Sequence, residues 1–473
     1  MRAQDTVEQA LAAARCDDCV VIADETSTAN LRWAGNTLTT NGVSRSRQLT
    51  VIAVSRQGEG ASVGVVSRAG VRDDQIEDVV RSAEKAASDS SPAEDARPLL
   101  GAGDRQAFGG TGKEGAGQGG WDDPPASTGI GVFSDFSPAL GAAFSAAASG
   151  GRKLYGFAEH EMTSTFLGTS AGLRLRHDQP TGKVDVNAKS ADGTRSAWAG
   201  QGTRDFADID VSRLDADLAR RLDWARRQVD LPAGRYETLL SASAMADLFV
   251  YFLWSTGAKD ALDGRTVFSK PGGGTRVGER FTSLPVNLRS DPGAPGLECA
   301  PFVIAHASQR TSSVFDNGLA LEPTAWVRDG ELGALIQTRH TAELSGLAVT
   351  PAVDNLIFEG PEPAGASLDD LIAGTSRGLL VTCLWYIREV DPQTLLLTGL
   401  TRDGVYLVEN GEVTGAVNNF RFNESPVSLL GRLAEVGGTA PALPREWGDY
   451  FTRVAMPSAR VEGFNMSSVS QAS

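Results

Sequence analysis

The pattern of apolar and polar positions at the start of the chain predicts a helix, four strands and a second helix. The first helix covers 7–15, with Asp5 as its predicted N-cap and Glu8 three residues later. Helical spacing of apolar residues predicts the second helix over 73–88. Stretches rich in Val, Ile, Thr and Trp, separated by Asn-Gly and Gly-Glu-Gly turn signals, predict strands at 20–25, 29–40, 48–55 and 61–68. This order indicates an antiparallel meander followed by a helix.

The middle of the chain contains a long stretch without periodicity, followed by strands and one long helix. Residues 89–128 are rich in Gly, Ala, Ser and Pro, which predicts a mobile loop. After a helix that opens at Ser137 and Pro138, a hairpin is predicted with its turn at 179–182. A helix with one apolar side is predicted over 211–230, and the sequence LPAGRY that follows interrupts the pattern. We therefore place a domain boundary after residue 230.

The second half of the chain is a series of short strand-like segments separated by Gly, Pro and Asp-Gly turns. One helix, at about 243–257, carries a continuous apolar run, so it is either buried or part of a large subunit interface. One or two further helices are predicted near 367–373 and 426–434. The fold class is therefore α+β. Residues 1–230 form an N-terminal α/β domain of antiparallel strands and helices, and residues 231–473 form a mainly β domain with one apolar helix.

Composition and charge narrow the function classes. The chain has 473 residues, 41% of them hydrophobic, and a formal net charge of −15. An acidic chain is a poor partner for nucleic acid or an anionic membrane surface, because both are bound through basic patches. No apolar run is long enough to span a membrane, and the N-terminal segment has no continuous apolar core. These features predict a cytoplasmic protein with no membrane and no nucleic-acid partner.

Three short motifs that resemble chemical signatures are better explained as structure. HEMTST, starting at His160, begins like the zinc-binding H-E-x-x-H, but the second histidine is missing and the surrounding residues favour a strand. Cys16 and Cys19 form a CxxC that follows a helix and precedes a strand, the reverse of a thioredoxin-like motif. The glycine-rich stretch 270–279 has no helix after it, so it is not a typical phosphate loop.

Several segments, taken in order, resemble the TldD/PmbA family. The main one is 314–346, which contains a predicted hairpin around Asp329 and Gly330. The strand-ENG-strand segment 404–425, the N-terminal pattern at 29–46 and the closing segment 454–468 are similar to the family's other blocks. The resemblance covers nearly the whole chain apart from the glycine-rich insert.

The resemblance implies a zinc peptidase system with two kinds of chain. TldD-like members carry an H-E-x-x-x-H helix and a late cysteine as zinc ligands, whereas TldE/PmbA-like members lack these ligands and pair with a TldD-like chain. Here the matching helix is 241–262, which holds no His, Cys or Glu, and the ligands would fall near 250–255. The matching late loop, about 433–458, holds no cysteine. The resemblance therefore implies a metal-free, TldE/PmbA-like chain with no catalytic or metal-binding residue and no cofactor of its own. Zinc is expected on a TldD-like paralogue, the partner in a heterodimer.

The implied role is to shape the chamber around the partner's zinc and to hold unfolded peptides as an extended strand, since main-chain hydrogen bonds accept any sequence. Arg402 and Arg421, on turn-flanked strands, are candidate residues for a peptide groove, where each could hold a carboxylate. Two alternatives stay open. One is a self-sufficient homodimeric metallopeptidase with atypical ligands, and the other is a peptide-binding module with no proteolytic role.

Overall fold

The N-terminal part of the protein is built on an antiparallel sheet of six long strands. The computed structural model describes residues 2–58, 60–108, 120–361, 365–402 and 404–470. The strand order is β3-β2-β1-β4-β5-β6, and every neighbouring pair is antiparallel. The strands are β1 Asp18–Trp33, β2 Leu38–Gln57, β3 Gly60–Ala69, β4 Arg152–Thr169, β5 Arg174–Ser190 and β6 Ser196–Thr203. The helices are α1 Ala3–Ala13, α2 Ile76–Asp89, α3 Phe136–Ser149 and α4 Val211–Trp224.

The apolar faces of these helices cover the sheet. Apolar residues of α1 and α2 form one core with β1 and β2, and those of α3 and α4 form a second core with β4, β5 and β6. The helix predicted over 73–88 is found as a short 3₁₀ turn followed by α2, with the four predicted apolar residues Ile76, Val79, Val80 and Ala83 buried. Helical periodicity therefore identified the buried face correctly.

Two predicted turns are wrong because strong turn dipeptides lie inside long strands. The segments at 20–25 and 29–40 do not form two strands: β1 runs without a break from Asp18 to Trp33. Its turn is at Gly35 and Asn36, which both have positive φ, and not at the Asn-Gly pair at 41–42, which lies within β2. Likewise, the predicted turn at 179–182 lies within β5. Strands of this length are uncommon, so the short spacing of turn signals was misleading.

Pro180 is accommodated in β5 because β6 stops short of it. Pairing between β5 and β6 begins at Gly182, so the stretch of β5 that contains Pro180 pairs only with β4, where Pro180 lies opposite Met162. Proline is tolerated where one side of a strand has no partner, since it has no N–H to donate there.

A second sheet contains the remaining fourteen strands among the described residues. Most neighbours are antiparallel, and β8·β13, β12·β20 and β7·β17 are parallel. The strands are β7 Gln228–Val229, β8 Gly234–Leu240, β9 Asn287–Ser290, β10 Thr324–Arg328, β11 Glu331–Leu332, β12 Leu356–Glu359, β13 Arg377–Val381, β14 Trp385–Asp391, β15 Leu396–Leu400, β16 Val405–Glu409, β17 Glu412–Val417, β18 Phe420–Glu424, β19 Leu433–Ala442 and β20 Val454–Val469. The helices are α5 Ala242–Trp254, α6 Ala258–Leu262, α7 Arg339–Ser345, α8 Leu368–Ala373 and α9 Pro426–Leu430.

The α+β class is confirmed, and two predicted hairpins are found in this sheet. Asp329 and Gly330 connect β10 to β11, and Asn410 and Gly411 connect β16 to β17. All four have positive φ, as a two-residue hairpin turn between twisted strands requires. None of the helices within the described ranges combines the length and the apolar character needed to cross a membrane.

The junction between the two halves differs from the predicted helix over 211–230. Helix α4 ends at Trp224, and Gln228 and Val229 already form β7, which pairs with β17 of the second sheet. The division at residue 230 remains a prediction. Of the predicted mobile loop, residues 109–119 lie outside the described residues. On one flank, the main-chain N–H groups of Ala126 and Thr128 donate to Ser164 and Ser27 at 2.9 and 2.8 Å.

Candidate functional site

The zinc-like stretch HEMTST lies in β4, as its strand-favouring residues predicted. His160 is buried, and burial lowers the pKa of its imidazole. Its Nε2–H donates to the main-chain carbonyl of Arg204 at 2.7 Å, and Nδ1 accepts from the hydroxyl of Thr128, also at 2.7 Å. Both ring nitrogens are therefore used to tie the sheet to neighbouring segments, and neither is directed at a ligand.

Within the described residues, no three His, Cys, Asp or Glu side chains converge in an arrangement that could hold a metal ion. Cys16 lies just before β1 and Cys19 lies within it, both as free thiols, and Cys383 is fully buried. Burial raises the pKa of the Cys383 thiol. Structural zinc requires four such ligands and catalytic zinc usually three, so the side chains in these ranges do not fit a zinc site.

Helix α5 is the predicted apolar helix, for which the sequence left two alternatives, a buried helix or part of a subunit interface. The structure shows that it is buried within this chain. Ser241 caps its start by accepting from the N–H of Ala244. Its residues from Ala244 to Val250 are all buried, as are Phe252 and Leu253. Only the last residue, Trp254, is substantially exposed, at 39%. The helix thus forms the core of the second sheet, with one aromatic residue at the surface.

Asp247, the one ionisable side chain of α5 apart from Tyr251, is completely buried and connects three segments. Its carboxylate oxygens accept the main-chain N–H groups of Leu384 at 3.1 Å and Glu446 at 2.9 Å. Its own carbonyl accepts from the indole of Trp447 at 2.8 Å. Burial raises the pKa of Asp247 well above its usual value. The family resemblance points to His, Cys and Glu in this helix and not to Asp247, although a single acid in an apolar helix is itself a signal of a buried polar contact.

An aromatic cluster covers the end of α5 at which the family resemblance places zinc ligands. The rings of Tyr251 and Trp254 lie 5.6 and 5.2 Å from that of Trp447, and Phe451 lies 6.3 Å from Trp254. Tyr450, in the same turn as Trp447, is 77% exposed. Apolar packing therefore occupies this region, and part of the cluster faces solvent.

The loop that holds Asp247 also fixes the start of β14. The Glu446 carboxylate accepts the N–H groups of Tyr386 at 2.8 Å and Ile387 at 3.2 Å. Tyr386 has φ of +52°, a left-handed conformation that is rare for a bulky side chain. Such strain persists only where the surroundings impose it, and it is concentrated at functional sites. Within the described sheet, β14 pairs with β15 alone, so its other edge is open.

A cleft of about 1310 Å³ lies between the two sheets, beside the start of β14. One wall comes from β4, β5 and the β5–β6 turn, and the other from β14, β16, β17 and neighbouring loops. Among the described residues, its lining contains five cationic residues and one acid, Asp192, in a chain whose net charge is −15. The cationic residues are Lys189, Arg195, Arg226, Arg402 and Arg445.

Arg445 connects the two halves of the molecule at the base of this cleft. Its guanidinium stacks on Trp385 of β14, 4.0 Å from the ring centroid, and lies 5.4 Å from Trp198 of β6. It also donates to the sulfur of Cys383 at 3.2 Å and to the carbonyl of Arg402 at 3.3 Å. A guanidinium between two indoles gains cation–π attraction from both.

The structure separates the two arginines proposed from the sequence. Arg402 lines the cleft. Arg421 lies on β18, outside this lining, where it is exposed and donates to the hydroxyl of Thr398 at 3.3 Å. The two residues therefore do not share a groove, and the cleft adds Lys189, Arg195 and Arg445, which the sequence did not single out.

Comparisons with known proteins agree on one family. A family model described as the PmbA/TldA metallopeptidase C-terminal domain matches residues 233–468. The crystal structure of TldE from Thermococcus kodakarensis is similar with a TM-score of 0.76 and 15% sequence identity, over 98% of this chain and 99% of that chain. No match is found among curated proteins.

Two bacterial structures described as modulators of DNA gyrase are also similar. The one from Bacteroides thetaiotaomicron has a TM-score of 0.75 and 14% identity, over 99% of this chain and 98% of that chain. The one from Thermotoga maritima has a TM-score of 0.73 and 16% identity, over 98% of this chain and 99% of that chain. At these identities the likeness shows a common fold along almost the entire chain.

Proposed function

The chain belongs to the PmbA/TldD metallopeptidase family, and from this premise we propose that it is a metal-free, TldE-like subunit that holds peptide for a zinc-bearing partner. The observation that carries the proposal is the environment of α5. Its only ligand-type side chain, Asp247, has both carboxylate oxygens committed to main-chain N–H groups. The end of the helix, where the family resemblance places ligands, is packed with Tyr251, Trp254 and Trp447.

The proposed partner is a relative of this chain that carries the H-E-x-x-x-H ligands. Trp254, at the end of α5, and Tyr450, in the turn of Trp447 that packs on α5, expose large side chains of the kind that a subunit interface buries. The net charge of −15 favours a protein partner over nucleic acid. We place the complex in the cytoplasm.

Mixing the two chains tests the proposal. This chain alone is expected to bind no zinc and to leave an unfolded peptide intact, whereas the mixture is expected to cleave it. Zinc per chain is measured by elemental analysis and cleavage by mass spectrometry, with the partner alone as the control. Stoichiometric zinc and cleavage by this chain alone would favour a self-sufficient metallopeptidase with atypical ligands. Peptide binding without any gain in cleavage on mixing would favour a non-proteolytic binding module.

We further propose that the open edge of β14 receives the extended peptide. An edge strand offers main-chain groups that no neighbouring strand binds, and proteins usually protect such edges from unwanted pairing. On β14 the Glu446 carboxylate already binds the N–H groups of Tyr386 and Ile387, so a peptide would pair with the strand beyond Ile387. Here the strand instead presents two large apolar side chains, with Tyr386 exposed by 50% and Val390 by 56%. Apolar side chains beside unpaired main-chain groups are the features that strand addition uses.

Truncating those two side chains is expected to weaken peptide binding. The double variant Tyr386→Ala/Val390→Ala should lose about tenfold in affinity, on the order of 1.4 kcal/mol, because apolar contact area is removed. Fluorescence anisotropy with a labelled unfolded peptide measures the change. Leu344→Ala, which truncates an exposed leucine on α7, is the matched control and should bind normally. Equal affinity of the double variant and the control would exclude β14 as the binding edge.

A further inference from the structure

The cleft beside β14 has an unusual charge for this molecule. Its described lining residues include five cationic side chains and one acid, although the whole chain is strongly acidic. Low-dielectric walls concentrate the field of such a cleft and attract ligands of opposite charge. Each of its two walls carries an aromatic ring, that of Trp385 on one side and that of Tyr155 on the other.

The acid among the described lining residues already forms hydrogen bonds within its own turn. Asp192 lies in the β5–β6 turn, where its carboxylate accepts from the Ser190 hydroxyl at 2.5 Å and from the N–H and hydroxyl of Thr194 at 3.1 and 2.8 Å. These hydrogen bonds, that from Ser190 foremost, lower the pKa of Asp192 to about 2. The carboxylate is therefore held by its own turn.

Two of the cations form no ion pair among the residues described, although the charge of Arg195 contributes to the lowered pKa of Asp192 in the same turn. Lys189 lies 5.9 Å from the centroid of the Tyr155 ring, and Arg195 donates through Nη1 to the carbonyl of Leu222 at 2.9 Å. No carboxylate in the described ranges lies within ion-pair distance of either side chain. The positive charges of Lys189 and Arg195 are thus available to bind an anionic ligand in the cleft.

A neutral donor adds to this charge. Asn418 lines the cleft, and its Oδ1 accepts from the N–H of Leu231 at 2.6 Å, which orients the amide. Its Nδ2 is buried and has no hydrogen-bond partner in the described structure. A buried donor without a partner is costly, and an acceptor supplied by a ligand would relieve that cost.

We propose that this cleft binds the carboxyl-terminal carboxylate of a peptide whose preceding residues lie along β14. The two sites are continuous because Trp385 is both the first residue of β14 and part of the cleft lining. Lys189 and Arg195 supply the charge, and Arg402 lies on the opposite wall. A carboxylate suits this set since it accepts charge-assisted hydrogen bonds from lysine and arginine and a further bond from an amide. The inference rests on the proposed peptide-holding function.

Two peptides of identical sequence, one with a free carboxyl terminus and one with a terminal amide, test the inference on the unmodified chain. Each carries a fluorophore at its amino end, and anisotropy gives the affinities. The acid is expected to bind at least about tenfold more tightly than the amide. In Arg195→Gln and Lys189→Gln this preference should fall severalfold. Lys85→Gln, which removes an exposed charge on α2, is the control and should retain it.

The outcomes separate the inference from the function on which it rests. Equal binding of acid and amide would overturn the carboxylate site and leave peptide holding intact. Binding of neither peptide would overturn peptide holding as well. Inorganic phosphate is added as a competitor: if it binds the cleft while the acid peptide does not, the site is an anion site of another class and the inference is wrong.

Discussion

Replacing Asp247 by alanine is expected to lower the free energy of unfolding by about 3 kcal/mol. The substitution leaves the N–H groups of Leu384 and Glu446 without their acceptor, and a buried donor that loses its partner costs about 1–3 kcal/mol. Loss of the contact also releases the loop that positions β14. Thermal and denaturant unfolding measure the change, and it should be accompanied by weaker peptide binding.

Asp247 is also expected to make the stability of the protein depend on pH, and Asp247→Asn should remove that dependence. Burial raises the pKa of Asp247 in the folded state, so the folded chain keeps a proton that the unfolded chain has lost. Stability then falls as pH rises from about 4, the ordinary range of an aspartate, up to the raised folded pKa. Asparagine cannot ionise, so its stability deficit relative to Asp247 should be largest at acid pH and should shrink as pH rises. A deficit that grows with pH would contradict a raised pKa.

The contacts of Asp247 show which part of the site could not be predicted from the sequence. Its two main-chain donors lie 137 and 199 residues away. Local periodicity reports that α5 is apolar all round, and it reports this correctly. It contains no information about which distant loop supplies the partners of the one acid in the helix. The family resemblance directed attention to zinc ligands, and the residue that matters structurally was of another type.

The cleft shows a similar division between local and tertiary information. Arg402 could be proposed from a turn-flanked strand, and the structure places it in the cleft. Arg421 has the same kind of local sequence, yet it lies outside the cleft on β18. Lys189 and Arg195 belong to the other sheet, and only the packing of the two sheets brings them opposite Arg402. A charged site formed at such a junction has no local signature.

Helices and strands could be predicted from the sequence where the apolar residues followed one regular spacing. Helices α2 and α5 and the Asx-Gly hairpins of the second sheet follow from local spacing and turn chemistry. Predictions failed where the first sheet uses strands far longer than average, so that Asn41-Gly42 and Pro180 lie within strands. There, continuous pairing with one long neighbouring strand, β1 for Asn41-Gly42 and β4 for Pro180, outweighs the local preference for a turn.

A glycine inside a strand can also record a tertiary contact, and Gly64 on β3 is expected to show this most clearly. A Cβ at this position would lie 2.1 Å from the carbonyl oxygen of Ala83 and 2.2 Å from the nitrogen of Ala87, both main-chain atoms of α2. The hydroxyl of Ser62, two residues earlier, donates to the carbonyl of Ala87 at 2.7 Å, which confirms how close the strand and helix lie. Only glycine permits this approach.

Gly64→Ala is therefore expected to destabilise the protein by about 3 kcal/mol, because the main chain of α2 must move away from the sheet. Gly141→Ala is the matched control: this glycine is exposed in the interior of α3 and has no atom within 4 Å of the added methyl group. Alanine there should instead stabilise the helix, by up to about 1 kcal/mol. The same chemical change should thus shift the melting temperature in opposite directions at the two positions. Stabilisation at both positions would mean that the lower entropy of the unfolded chain, and not the contact with α2, governs Gly64.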